Sequence, residues 1–152
     1  YDNVGLVIQA YLYRSEDDVK QLNELRANLR LGKGAYKESP KVAFPAKKDV
    51  DENFRKLLKM HLANGNYTAI ATHDESVVND MIAFIKEKGI SDDLFEFQML
   101  YGIREDLQKR LVKEGYRVRV YLPFGVDWFG YFMRRLAERP ANVWFILKNL
   151  FK

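Results

Sequence analysis

Short apolar runs rich in β-branched residues alternate along this chain with amphipathic helical stretches, and no hairpin turn joins two successive runs. Strands that are not joined by hairpins must run parallel and be connected by crossovers, so this alternation restricts the fold more than any single residue does. The first run covers residues 4–11 and reads as a buried strand. Ser15 then caps an acidic first turn, and a helix extends to about Asn28 with Val19, Leu22 and Leu25 inward. Residues 29–36 form the second strand, and residues 37–50 a loop with two prolines. A helix spans about 51–63, with Gly65 just past its end. The third strand is 67–73. The helix after it, 75–88, turns Val77, Met81, Ile82 and Ile85 inward and stops at Gly89. A fourth strand at 94–101, a helix at 104–113 and a fifth strand at 117–123 follow. A last helix begins near Tyr131 and stops before Pro140, because a proline disfavours the helical conformation in the residue ahead of it.

Five consecutive strand–helix units make either a complete open doubly wound sheet or the later part of an eight-unit barrel. Polar residues fall at or near the carboxyl ends of all five strands: Gln9, Lys33, Tyr36, Thr72, His73, Gln98, Tyr101 and Tyr121. Buried polar groups are costly, so a ligand usually explains a set of them at these ends. Contributions from every strand suit a ring of loops round one site, whereas an open sheet gathers its site at one switch point. No Gly-x-Gly-x-x-Gly turn follows any strand, which counts against a dinucleotide-binding sheet. Lys33-Gly34 is no P-loop, since the first glycine is misplaced and no Ser or Thr follows the lysine.

Composition excludes several chemistries. With 152 residues, 47% of them hydrophobic, the chain is long enough for one domain with a core, and a single domain over 1–152 is expected. It contains no cysteine, which removes disulfides, thiol catalysis and cysteine-held metals. Two histidines, His61 and His73, make a metal site unexpected, and His61 on its lysine-rich helix reads as a surface residue. A net charge of +4 without a basic, aromatic-interleaved stripe argues against a nucleic-acid partner. No apolar run reaches bilayer-spanning length and no signal peptide is visible, so a cytoplasmic protein is expected. The chain opens on Tyr1 rather than Met, with a strand pattern already under way at Val4, and reads as an excised or incomplete chain.

The last helix carries a charged constellation. Tyr131 and Arg135 are four residues apart, Arg135 and Glu138 three, and Arg134 and Glu138 four. One carboxylate can therefore brace two guanidinium groups, and two parallel donor forks suit a small anion such as an amino-acid carboxylate. The same spacing also fits a solvated helix face with an ordinary ion pair.

Several motifs coincide in order and spacing: Val7-Ile8-Gln9-Ala10-Tyr11, Arg30-Leu31-Gly32-Lys33-Gly34-Ala35-Tyr36, Ala71-Thr72-His73-Asp74, Phe95-Glu96-Phe97-Gln98, and Tyr131 to Asn142. Together they make the chain resemble the FAD-dependent proline dehydrogenases, most of all the compact bacterial monofunctional form. The resemblance covers essentially the whole chain. It implies an α/β fold of the (βα)8 TIM-barrel type, of which this chain supplies about the last five βα units. The family's earlier strands, with a lysine for the substrate carboxylate and a catalytic aspartate, have no counterpart here and would come from elsewhere in the full-length enzyme.

The resemblance also assigns roles. Arg134 and Arg135 match the pair that grips the proline carboxylate, with Glu138 orienting them. Arg30 matches the arginine beside the reactive edge of the flavin, where a fixed cation stabilises the charge that arrives with a hydride. Lys33, Gly34 and Ala35 match the flavin-contacting turn, Gln9 a side chain bonded to the isoalloxazine, and Thr72 and His73 further FAD contacts near a helix start. Tyr121 and Tyr131 match aromatic walls of the substrate pocket, Tyr121 being a residue that matters for activity. The implied reaction oxidises L-proline to 1-pyrroline-5-carboxylate and passes electrons to a quinone, which makes a peripheral contact at the inner membrane an option. Gly32 departs from the family, which usually has a larger residue there.

Bland readings stand beside these. Gln9 and Gln98 can be ordinary strand-end residues, and His73 a helix cap. Trp128, Phe129 and Phe132 read as core, and the charged run from Ala46 to Glu52 as a solvated loop. The competing functions are a small-anion-binding open α/β module without chemistry, and an inactive barrel fragment.

Overall fold

A computed structural model describes residues 4–34, 36, 38–122, 124–126 and 130. Compactness divides the chain into two units, Tyr1–Tyr121 and Leu122–Lys152, and the elements below belong to the first. The helix expected from Tyr131 lies outside the described residues, and with it Tyr131, Phe132, Arg134, Arg135 and Glu138; so do Ala35, Trp128 and Phe129.

Among the described residues, five strands alternate with four α-helices: β1 Gly5–Gln9, α1 Ser15–Glu24, β2 Asn28–Gly32, α2 Lys47–Ala63, β3 Thr68–Ala71, α3 Glu75–Lys88, β4 Phe95–Leu100, α4 Glu105–Lys113 and β5 Val118–Tyr121. All four strand pairings are parallel, and the spatial order β1-β2-β3-β4-β5 is the chain order. A doubly wound sheet reverses its strand order at a switch point. None exists among the described strands, so the open-sheet alternative gives way to consecutive units of a barrel wall, an α/β partial barrel.

Side chains alternate across each strand, and the alternation sorts the sheet into two chemically different faces. Leu29 and Leu31 of β2, Ile70 of β3, and Phe95, Phe97 and Met99 of β4 pack with Val19 of α1, Leu57 and Leu58 of α2, Val77, Val78 and Met81 of α3, and Leu107 and Leu111 of α4 in one core. Each large apolar side chain buried there stabilises the fold by roughly 1.5–3 kcal/mol. Tyr116 closes the core beyond α4, its ring 5.8 Å from that of Phe97 and 6.1 Å from that of Phe95. The opposite face carries Val7 and Gln9, Arg30 and Gly32, Ala69 and Ala71, Glu96 and Gln98, and Arg119 and Tyr121.

Several elements differ from expectation for identifiable reasons. The first strand is not buried: among the described strands β1 pairs only with β2, and Leu6 and Val7 are exposed. Ser15 does not cap α1; its hydroxyl donates instead to the Gln9 carbonyl at 2.6 Å, tying the helix start to the end of β1. That helix ends at Glu24, where Arg26 takes a positive φ of 53°, so Leu25 is exposed rather than inward. The second long helix starts at Lys47, because the charges expected in a loop pair one turn apart, Lys47 with Asp51 and Lys48 with Glu52. The third helix keeps its expected bounds, Asp74 capping it by accepting from the Ser76 amide and Gly89 closing it at φ +61°.

His61 is the largest correction. It is fully buried, not a surface residue. Its Nδ1 meets the Asn23 side-chain oxygen from α1, and its Nε2 lies 3.1 Å from the Tyr67 carbonyl before β3. The Asn66 amide donates to the same Asn23 side chain. Burial pushes the imidazole pKa down against the bond to Tyr67. One imidazole thereby joins two helices to the amino end of the sheet. Replacing it, as His61→Ala, both opens a cavity and strands polar groups of Asn23 and Tyr67. The expected loss is about 2–4 kcal/mol, read as a lowered urea midpoint. A loss below about 0.5 kcal/mol would show that the site tolerates an unpaired amide.

Candidate active site

The carboxyl ends of the strands form a continuous rim. The Ala10 amide donates to Gly32 O at 2.8 Å and the Tyr11 amide to Lys33 O at 2.9 Å, extending the β1–β2 ladder past both strands. The Thr72 amide donates to Gln98 O, and the Tyr101 amide to Tyr121 O. Gln9, Lys33, Thr72, His73, Tyr101 and Tyr121 thus lie along one edge, as the strand-end pattern predicted. Tyr36, Tyr101 and Tyr121 are exposed aromatics on or just beyond it.

Lys33 sits at the centre of an ionic cluster. Its Nζ donates to Asp74 Oδ2 at 2.8 Å and lies 2.6 Å from Asp51 Oδ1, with the lysine side chain only 13% exposed. Burial alone would raise the Asp74 carboxyl, but hydrogen bonds from Lys33 and Ser76 outweigh it and hold the group well below the usual carboxylate range. The ammonium is therefore spent on joining the β2 end to the starts of α2 and α3. What the turn can offer a ligand is backbone. Gly34 follows with φ +94°, and a Cβ added there would lie 2.1 Å from the Tyr11 ring, so only glycine fits. Gly32 is different: an added Cβ would meet only Ala71 Cβ at 4.0 Å. A larger side chain has room at that position, so the glycine leaves the sheet face open rather than relieving a clash.

A polar row crosses that face. Arg30 of β2 donates through Nε to Gln98 Oε1 of β4 at 2.7 Å. Between them stands β3, whose facing residues are Ala69 and Ala71, so the two long side chains meet over methyl groups. Gln98 Nε2 donates to Glu96 Oε1 at 2.6 Å, and Arg119 of β5 grips both Glu96 oxygens, at 2.6 and 2.9 Å. Burial would raise the Glu96 carboxyl; the bonds from Arg119, Gln98 and Tyr67 overcome that and lower it. No hydrogen bond joins the Nη groups of Arg30 to another described residue, so a fixed cation with open donors lies on a floor of Gly32, Ala69 and Ala71. A flat anionic or electron-accepting ligand fits such a surface.

The remaining expected residues are placed as follows. Gln9 faces the same side as Arg30, paired in register with Gly32. Thr72 is buried, and its hydroxyl accepts from the Asp74 amide at 3.1 Å. His73 Nε2 accepts from the Leu100 amide at 2.8 Å, which makes it a brace between β3 and β4 rather than a helix cap. Arg104 secures the stretch from the outside, reaching Glu75 at 2.8 Å and the His73 carbonyl at 3.5 Å. Among the described residues no cluster of three or more His, Asp or Glu side chains is placed to hold a metal ion.

Sequence reasoning gave no role to Asp51, Asp74, Glu96 or Arg119. Glu96 was detectable: alternation through Phe95-Glu96-Phe97-Gln98 puts a carboxylate and an amide on one face of an otherwise apolar strand. Asp51 was not, because its partner Lys33 lies at the end of β2, across the loop from α2.

Two outcomes test this geometry. Gly34→Ala should cost about 1–3 kcal/mol of stability, from positive φ and the clash with Tyr11; an unchanged melting temperature would mean the turn is not held as described. Asp74→Asn keeps a capping oxygen and removes the charge facing Lys33. The carboxyl is ionised in the folded state far below the value of about 3.9 for an unfolded aspartate. Its contribution, about 1–2 kcal/mol for a charge-assisted bond that water partly reaches, is therefore complete above pH ~4 and lost as the pH falls further. Denaturation curves of the two proteins should differ at pH 7 and converge in acid; a gap that persists in strong acid would contradict the pairing.

Comparison with known proteins agrees with the fold and the motifs. The family model for proline dehydrogenase matches residues 1–148. Proline dehydrogenase 2 of Bacillus subtilis strain 168 is 59% identical over 152 residues, all of this chain and 50% of its own length. The proline dehydrogenase of Deinococcus radiodurans is 56% identical over 151 residues, 99% of this chain and 49% of its own. The chain thus spans about half the length of these curated relatives. Among solved structures, proline utilization A from Bdellovibrio bacteriovorus, inactivated by N-propargylglycine, superposes with a TM-score of 0.83 at 33% identity, covering 90% of this chain and 16% of that one. A structure of proline utilization A with proline bound in remote sites superposes with a TM-score of 0.79 at 30% identity. With a sequential parallel sheet, a polar rim on its carboxyl edge and a match along nearly its whole length, this chain belongs to the proline dehydrogenase family.

Proposed function

We propose that this chain forms the carboxyl-terminal part of an FAD-dependent enzyme that oxidises L-proline to 1-pyrroline-5-carboxylate, the whole of residues 1–152 serving one catalytic barrel. The observation that carries this reading is the Arg30 guanidinium, fixed by Gln98 above a floor of small residues and beside the Lys33-Gly34 turn. The residues present fit a flavin. The Lys33-Gly34 turn presents backbone groups beside Arg30, and the Nη groups of Arg30 can meet a carbonyl edge.

FAD, when bound, supplies the hydride acceptor. The chain's own residues bind and orient. Arg30 presents a cation that favours extra negative charge at its side of the cofactor. Gln9 can hydrogen-bond the ring, and the turn of Lys33, Gly34 and Ala35 offers backbone to it, with the Lys33 ammonium holding the turn to α2 and α3. Thr72 and His73 stand near the start of α3, where further cofactor atoms can be held. Tyr121 lines the substrate side. Arg134 and Arg135, braced by Glu138, clasp the proline carboxylate, and Tyr131 walls the pocket; these four roles rest on the family motif. Strands supplied by the rest of the full-length protein complete the barrel. A quinone takes the electrons onward, and a peripheral contact with the inner membrane brings the two together. No described helix is long and apolar enough to cross a membrane.

A visible absorption spectrum of the full-length protein tests this directly. Bound-flavin bands that bleach on addition of L-proline are expected; a colourless folded protein would favour a small-anion-binding module. Arg135→Met should raise the KM for proline at least about tenfold while FAD stays bound, since it removes one fork of a charge-assisted clasp. An unchanged KM would take Arg135 out of the site.

A further inference from the structure

Glu96 is a charge that the proposed reaction does not use. It lies on β4 between Phe95 and Phe97 and is only 5% exposed. A carboxylate in such a place is costly unless its oxygens are fully engaged. Arg119, with a side chain 65% exposed, could satisfy it alone, yet Glu96 Oε1 also takes the Gln98 amide at 2.6 Å.

That second bond has a directional consequence. A carboxylate only accepts, so Gln98 must turn its NH2 toward Glu96. Its Oε1 is thereby left facing Arg30, whose Nε–H only donates, at 2.7 Å. Both ends of the amide are fixed by chemistry, and no rotated amide satisfies both neighbours. Gripped at Nε, the guanidinium keeps one plane, and neither Nη group hydrogen-bonds another described residue. The row Arg119–Glu96–Gln98–Arg30 spans four strands and is bridged over Ala69 and Ala71, which leave the two long side chains free to meet.

We propose that Glu96 is a positioning residue for the flavin site, acting through Gln98 to orient the Arg30 guanidinium toward the cofactor. The proposal rests on the flavoenzyme reading. A carboxylate near a flavin acts in two opposite ways. Its field disfavours electrons on the cofactor, whereas its hold on Arg30, relayed by Gln98, keeps a cation in place and favours them. The relay and the field therefore predict opposite signs, and Gln98 separates them because it carries no charge.

The test uses the full-length, flavin-loaded protein and its E96Q, E96D and Q98L variants. Three quantities are read: the flavin reduction potential, the affinity of the oxidised flavin for sulfite, and the melting temperature. The relay predicts a lower potential and about tenfold weaker sulfite binding in both E96Q and Q98L, the worth of one charge-assisted hydrogen bond. E96D, which retains the charge and an acceptor, should recover part of the loss. A potential that rises in E96Q and stays constant in Q98L would overturn the proposal in favour of a simple field effect. A lowered melting temperature with an unmoved potential would reduce Glu96 to a structural ion pair. Should E96Q fail to fold, Q98L decides alone, and an unchanged potential there overturns the relay. A wild-type protein that binds no flavin removes both this proposal and the reading beneath it. Unmoved variants of a wild type that proline bleaches remove this proposal only.

Discussion

Apolar packing on one side of a parallel sheet is what the rest of this structure depends on. Leu29, Leu31, Ile70, Phe95, Phe97 and Met99 commit one face of β2, β3 and β4 to the helices. Because successive side chains point to opposite sides, the same strands must present Arg30, Ala69, Ala71, Glu96 and Gln98 on the other. The core thus fixes the register, and the register brings side chains from β2, β4 and β5 into one hydrogen-bonded row. A slip of one residue would bury Arg30 and Glu96 among the helices, where neither has a partner.

The rim is built on a different principle. Past the ends of the strands the ladder continues through single backbone bonds, and charge takes over from packing. Lys33 ties β2 to α2 and α3, Arg104 ties the end of β3 to the start of α4, and His73 ties β3 to β4. These bonds hold the segments around Gly34 and His73 without filling the space above them. The outcome is an edge that offers backbone and aromatic faces to a ligand, beside the Arg30 guanidinium on the sheet face.

Much of this was legible in the chain itself. Strand–helix alternation gave the parallel sheet, and Gly89 marked the end of α3 because a glycine stop is a local signal. Strand ends rich in polar residues gave the rim, and the motifs gave the family. What remained hidden was decided by distant partners. His61 looked like a surface residue among lysines, since its partners Asn23 and Tyr67 belong to other elements. The first turns of α2 looked like a loop, since dense charge conceals helical pairing. The pairing of the Lys33 ammonium with Asp51 and Asp74 was hidden as well, since both carboxylates belong to other elements. Even local rules were sometimes outweighed: Ser15 had a capping residue's chemistry, yet the Gln9 carbonyl was nearer.

The central claim is that the sheet face bearing Arg30, at the carboxyl ends of the strands, is where the cofactor lies. A crystal structure of the full-length protein with FAD measures this most directly. The account predicts the Arg30 Nη groups within about 3 Å of flavin acceptor atoms, with the Lys33-Gly34 backbone against the cofactor. A flavin bound at the amino ends of the strands, or an Arg30 guanidinium turned away from it into solvent, would contradict the account.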